Sequence, residues 1–148
     1  MSHLYYNATS VSIDGIAILI EGKPKSGKSS LALSLIEDEG GKLISEDITF
    51  LTLQNQRLFA KPAEKLSGAL FIRGIGILSV PYEKDLTEIK AVIHLCEKDD
   101  ISLNQKTILI SGIAVPFFEF MCYDFALTNK IKAVIKLLKK EWILIETV

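Results

Sequence analysis

Apolar positions fall into short runs separated by turn residues, and the spacing changes once near the start. Thr9 to Ile13 alternates weakly and ends at Asp14-Gly15, a pair suited to a tight hairpin turn. The next run, Ile16-Ala17-Ile18-Leu19-Ile20-Glu21, is apolar and β-branched, which predicts a buried strand. After it Leu31 and Leu35, and Leu33 and Ile36, recur at helical spacings, so a helix is expected from Ser29 to Ile36. Glu37-Asp38-Glu39-Gly40-Gly41 supplies its glycine stop. Acids at that end oppose the helix dipole and are expected on solvated surface.

Lys42 to Ser45 reads as a strand, Ile48 to Leu53 as its continuation or partner. Gln54-Asn55-Gln56 is a turn into a short strand, Arg57 to Lys61. Pro62 to Gly68 is a loop or helical turn. Leu70 to Leu78 is an apolar run broken by Arg73, Gly74 and Gly76; the glycines point to close backbone approach or positive φ. Ile89 to Leu95 and Thr107 to Ile110 are predicted strands, joined by a polar connection, Glu97 to Asn104. Ile113 to Phe120 is mixed, with Pro116 excluding a central ladder position. Asn129 to Lys140 places Ile131, Val134, Ile135 and Leu138 on one face and lysines on the other. That amphipathic helix either docks on the core or offers itself to a partner subunit. Trp142 to Ile145 is a short apolar tail. Strands outnumber helices, so the fold expected is α/β with a mixed sheet and hairpins, without regular strand–helix alternation.

Composition narrows the function classes. The 148 residues suit one domain, and with 49% apolar residues a substantial core can form. A net charge of −1 argues against a generally basic nucleic-acid binder. No signal peptide and no membrane-spanning run is legible, so a cytoplasmic protein is expected. Cys96 and Cys122 form no C-x-x-C pair and read as buried free thiols. His3 and His94 lack metal-ligand spacing; His94 reads as a sheet or core histidine. Arg57 and Arg73 are the only arginines, so few residues can offer a rigid guanidinium fork.

One stretch carries specific chemistry. Gly22-Lys23-Pro24-Lys25-Ser26-Gly27-Lys28-Ser29 fits G-x-x-x-x-G-K-[ST], the phosphate-binding loop. Gly22 and Gly27 let the backbone turn so that successive N–H groups face phosphate oxygens. Lys28 would bring an ammonium to the β- and γ-phosphates, and the Ser29 hydroxyl would reach Mg²⁺. A chance match is expected in roughly one chain in a few hundred, and here the motif also lies between a strand and a helix, as its chemistry requires. The helix N-terminus would add its positive end. Phosphoryl transfer further needs carboxylates for metal and proton. Glu46-Asp47, just after the Lys42–Ser45 strand, are the best placed, against the plainer reading of a polar strand-end turn. Arg73, in an apolar run, is expected to meet a carboxylate or a phosphate, or to form a structural salt bridge.

With these residues assembled, the chain resembles the catalytic domain of HPr kinase/phosphorylase, from about Asn7 to the Asn129–Lys140 helix. The hairpin, the phosphate loop, the carboxylate pair and Arg73-Gly74-Ile75-Gly76-Ile77 follow in the family's order, the last looking like its E-I-R-G-x-G-I signature. Phe117 to Leu138 resembles the C-terminal part of short single-domain forms. The resemblance implies a P-loop kinase fold shared with phosphoenolpyruvate carboxykinases, residues 1–148 as one catalytic domain, and a homo-oligomer, a hexamer in this family. It implies ATP- and Mg²⁺-dependent phosphorylation of a serine on HPr, the phosphocarrier of the sugar phosphotransferase system, reversible by inorganic phosphate to give pyrophosphate.

Carried over, Gly22 to Ser29 would hold the β-phosphate, Ser29 and Asp47 would face Mg²⁺, Glu46 would move the proton, and Arg73 would belong to the signature. Three positions depart from the pattern. Asn7 stands for the family's catalytic histidine, Glu46 for its aspartate, and Phe71 for a metal-binding glutamate. No arginine follows Arg73 to match the late catalytic arginine of long forms. The residues leave open a relative that binds nucleotide or pyrophosphate without transfer, and a small-molecule kinase on the same loop.

Overall fold

The computed structural model describes residues 4–97 and 107–146. The expected Glu97–Asn104 connection lies almost wholly outside them. Among the described residues are eleven strands and two helices. The predicted hairpin forms: β2 (Thr9–Ile13) pairs antiparallel with β3 (Ile16–Gly22) from Thr9↔Ile20 to Ile13↔Ile16. Asp14 and Gly15 make its turn at φ 48 and 82. Every residue of β2 is buried, so its weak alternation reflects a strand covered on both faces. Helix α1 (Lys28–Glu39) follows the loop and stops at Gly40, which takes φ 67 and donates its N–H to the Leu35 carbonyl.

The sheet order is β1 (Tyr5–Tyr6), β5 (Thr49–Gln54), β6 (Arg57–Ala60), β9 (Thr87–Cys96), β3, β2, β4 (Lys42–Ser45). Its two ends are neighbours along the chain: β1 leads into β2 and β4 into β5. Two bent ribbons thus run antiparallel, Tyr6 opposite Thr49 and Ser10 opposite Ser45. The Thr49 hydroxyl stitches the bend, donating to the Ala8 carbonyl at 2.9 Å with Ser10 Oγ at 2.7 Å. The sheet therefore curls until it closes on itself. Ile48–Leu53 is the continuation of β4, not its partner, because Asp47 at φ 66 turns the chain outward onto β1.

Closure makes two cores. Leu19, Leu51, Leu58, Val92 and Val115 fill the inside of the curl. On the outer face Ile18, Ile20 and Ile93 meet Leu31 and Leu35 of α1 and Ile131 and Ile135 of α2 (Leu127–Leu138). Helix α2 thus docks on the core, beginning two residues earlier than the sequence suggests.

The apolar run at 70–78 is a separate two-stranded hairpin, β7 (Ala69–Ile72) and β8 (Gly76–Ser79). A Cβ at Gly74 or Gly76 would meet nothing within 4 Å, so positive φ (89 and 128), not close approach, explains both glycines. Strand β11 (Ile113–Met121) runs straight through Pro116, which faces Thr107 of β10 (Thr107–Ile110); pairing with β9 starts one residue later, at Phe117. The missing N–H of Pro116 is therefore spared a second ladder. Cys96 and Cys122 are half-buried thiols, not fully buried ones.

Candidate phosphate-binding site

The register puts the predicted residues on one rim. Thr9 lies opposite Ile20 and Ser10 opposite Ser45, so the start of β2, the end of β3 and the end of β4 share an edge of the sheet. From that edge leave Asn7, the Gly22–Ser29 loop and Glu46-Asp47.

The loop is compact. Lys25 takes φ 69 and Gly27 φ 97, and the Ser26 N–H bonds the Lys23 carbonyl at 3.1 Å. Gly22 is required by space. A Cβ there would lie 2.5 Å from Ser26 Oγ and 3.1 Å from the Leu95 carbonyl. Ser26 is 2% exposed, and its Oγ has no hydrogen-bond partner among the described residues. No side chain caps α1 and no acid occupies its first turn. Its N-terminal N–H groups and positive dipole end are thus offered to an anion. The Lys28 ammonium folds back on the Gly22 carbonyl at 2.9 Å. Lys23, Pro24 and Lys25 are exposed, Ser29 half-buried.

Glu46 and Asp47 sit at the bend. The Ser45 hydroxyl donates to the Ile48 carbonyl, and the Asp47 N–H reaches Thr9 Oγ1 at 3.3 Å. Glu46 Oε2 accepts the Phe71 N–H at 3.0 Å, tying the rim to β7. Burial pushes the Glu46 carboxyl above its ordinary range; the Phe71 N–H opposes this and the Asp47 charge adds to it. Glu46 lines two clefts, about 260 and 490 Å³, the first shared with Asp47 and Phe71, the second with Phe50 and Lys61.

Two signature positions fall elsewhere. Arg73 is exposed on the β7–β8 turn and forms no ion pair among the described residues. Of the two partners expected for Arg73, a carboxylate or a phosphate, the carboxylate is not met among the described residues, because that run is a hairpin and Arg73 its tip. Phe71 is 55% exposed beside Ile77 and offers only its backbone to Glu46.

Sequence reasoning missed a row behind the loop. Glu21 on β3, His94 on β9 and Glu119 on β11 are register partners across three parallel strands. His94 Nδ1 lies 2.5 Å from Glu21 Oε2, and the Tyr6 hydroxyl donates to the other Glu21 oxygen. Burial, then Glu21, raise the Tyr6 phenol well above its usual range, so it stays a donor. The available signal was one polar residue near the end of each of two apolar runs, Glu21 and His94.

The oxygen donors Ser29, Glu46 and Asp47 suit Mg²⁺ in kind. Among the described residues no three His, Cys, Asp or Glu side chains are grouped to hold a metal alone. A metal here would depend on phosphate oxygens as well, as Mg²⁺ sites commonly do.

Closed mixed sheet, glycine-cradled loop and uncapped helix define a P-loop-type α/β protein. Residues 2–122 match the HPr Serine kinase C-terminal domain, and the chain belongs to that family. It is 28% identical over 131 residues to the HPr kinase/phosphorylase of Chlorobium limicola, covering 79% of this chain and 39% of that protein. Over 117 residues it is 28% identical to the HPr kinase/phosphorylase of Streptococcus pneumoniae, covering 70% and 37%. The chain thus spans about two fifths of the length of these curated relatives. Among solved structures the Hpr(Ser) kinase/phosphatase of Coxiella burnetii superposes with a TM-score of 0.81 at 27% identity, over 93% of this chain and 91% of that one.

Proposed function

We propose that residues 1–148 act as one catalytic domain, an ATP- and Mg²⁺-dependent kinase for a serine on an HPr-like phosphocarrier of the sugar phosphotransferase system. The observation that carries this reading is the loop: a buried Ser26 hydroxyl with no partner among the described residues, inside a backbone turn that a Cβ at Gly22 would fill. A phosphate oxygen supplies what that hydroxyl and the free helix end require.

The Gly22–Ser29 amides, with Lys23, Pro24 and Lys25 as the exposed arch, hold the β-phosphate. Lys28 exchanges the Gly22 carbonyl for phosphate oxygens. Ser29 and Asp47 would hold Mg²⁺, which would supply neutralisation of phosphate charge when bound. Glu46, its carboxyl raised, takes the proton of the serine hydroxyl as oxygen bonds to the γ-phosphorus and ADP leaves. Arg73, exposed on its turn, is free to approach a docked carrier. The same geometry supports the reverse, phosphate attacking phosphoserine to give pyrophosphate, although Asn7 cannot titrate where the family resemblance has an imidazole. Family likeness supports a cytoplasmic homo-oligomer, hexameric by resemblance. Exposed Phe71, Ile75 and Ile77 on the β7–β8 hairpin supply apolar contact surface.

The test is transfer of label from γ-labelled ATP to a purified HPr-type carrier. Label should appear on a carrier serine with the parent protein and vanish with Lys28→Ala. Transfer surviving Lys28→Ala overturns the reading. Nucleotide binding without transfer would make the chain a regulatory module instead.

A further inference from the structure

The two clefts beside Glu46 share a wall: Ser45, Glu46, Ala63 and Lys65 line both. Neither takes a lining residue from the Gly22–Ser29 loop. The larger, about 490 Å³, is of a size that holds ligand groups. Its shape follows from the bend after β4. Ile48 and Phe50 flank the buried Thr49, so both point away from the inside of the curl, and each is 44% exposed. Pro62 and Ala63 add further apolar surface. The segment that carries them is tied down. The Lys61 N–H donates to the Phe50 carbonyl at 2.8 Å and the Ala63 N–H to the Ile44 carbonyl at 3.1 Å, while the Ser67 hydroxyl donates to the Ala63 carbonyl at 2.8 Å. The cleft is therefore built before anything enters it. Its charges balance, Lys61 and Lys65 against Glu46 and Glu64, so it selects by apolar contact and shape.

We propose that this cleft is the acceptor subsite: it receives an apolar side chain beside the phosphorylated serine of a protein substrate, and Phe50 and Ile48 set its specificity. This deepens the kinase reading and rests on it. In-line transfer puts the attacking oxygen and the leaving ADP on opposite sides of the phosphorus. The loop and the uncapped end of α1 serve the ADP side, and Glu46, as proton acceptor, marks the other. A cavity that begins at Glu46 and takes nothing from the loop belongs to the acceptor. A small polyhydroxy acceptor needs several polar partners set in place to hold it. Here Ile48, Phe50, Pro62 and Ala63 offer apolar contact instead. The smaller cleft continues the surface onto Phe71 and Ile77 of the β7–β8 hairpin, 55% and 74% exposed. A partner large enough to lie across both clefts is a protein.

The test follows label from γ-labelled ATP onto a purified HPr-type carrier, across carrier concentrations, for the parent chain, Phe50→Ala, Phe50→Leu and Ile48→Ala. Phe50→Ala should raise the KM for the carrier about 10- to 100-fold, the worth of burying one large apolar side chain. Its kcat should change far less, and the KM for ATP and the pyrophosphate affinity should stay as in the parent. Phe50→Leu should recover most of the loss. Ile48→Ala should give a smaller loss of the same kind, and it decides if Phe50→Ala fails to fold. On the carrier, the apolar residues beside the labelled serine are changed to serine one at a time. One of these changes should raise KM on the parent and add little on Phe50→Ala, as two groups in direct contact do. A carrier KM indifferent to Phe50 and Ile48, a carrier with no such coupled residue, or an equal loss for ATP and carrier overturns the proposal. A parent that labels no carrier removes the kinase reading itself, a different outcome from transfer that ignores the cleft.

Discussion

At the edge of the sheet where Ile13 turns to Ile16, Glu88 lies between Arg57 and Lys90, and Lys139 meets Asp14. Glu83 accepts the Ser12 hydroxyl at 2.7 Å and two backbone N–H groups. At the opposite edge, among the described residues, Lys23, Lys25, Lys28, Glu46 and Asp47 form no salt bridge. There the buried Ser26 hydroxyl has no partner among the described residues. The carboxylates register the contrast. Hydrogen bonds from Arg57 hold Glu88 below its ordinary range. Burial pushes Glu83 up, but Ser12, the backbone of Asp85 and Lys84, and Lys42 outweigh it. Burial wins at Glu46. One edge completes its hydrogen bonds within the fold. The other leaves charges available, as sites awaiting a ligand do.

Breaking the second edge should change binding and spare the fold. Lys28→Ala should weaken pyrophosphate or ADP affinity about 10- to 100-fold, the worth of a charge-assisted hydrogen bond in a partly shielded site. Calorimetry reads the affinity, and urea unfolding should show stability nearly unchanged.

Breaking the first edge should do the reverse. Glu83→Ala leaves the buried Ser12 hydroxyl without its acceptor and should cost about 1–2 kcal/mol in urea unfolding, with pyrophosphate affinity intact. A carboxylate held low stabilises the fold above its ordinary titration, and that contribution fades as pH falls through the lowered value. The Glu83→Ala deficit should therefore shrink on acidification.

Glu46→Gln has the opposite sign. A raised carboxyl favours the fold while protonated and loses that contribution as pH rises through its folded value. The amide, which can still accept the Phe71 N–H, should make the protein more stable at pH 7. The gain should disappear toward pH 4, and transfer should be lost with ATP binding kept. Thermal unfolding across pH measures the first, labelled ATP the second. Smallest of all should be Arg57→Ala, whose ion pair is exposed; its melting temperature should scarcely move.

The local features of this molecule were legible in the sequence. Asp14-Gly15, the loop and the Leu31–Leu35 spacing each act within a few residues, so the hairpin, the phosphate loop and α1 follow from them. Non-local pairing was not. Nothing in Glu46-Asp47-Ile48 announces that the chain crosses from β2 to β1 there, because the bend rests on Asp47 at φ 66 and Thr49 bonding Ala8. Arg73 looked buried because apolar residues flank it; the hairpin turns Leu70 and Ile72 to the core and leaves Phe71, Ile75 and Ile77 outside. The Glu21–His94 contact spans 73 residues and exists only through the register of β3 on β9.

The most direct test of the central claim is titration of the purified chain with pyrophosphate and with ADP, Mg²⁺ present, up to millimolar ligand. Saturable binding to one site, lost in Lys28→Ala, is the result expected of a rim kept open for an anion. A folded protein that binds neither ligand at millimolar concentration would contradict it.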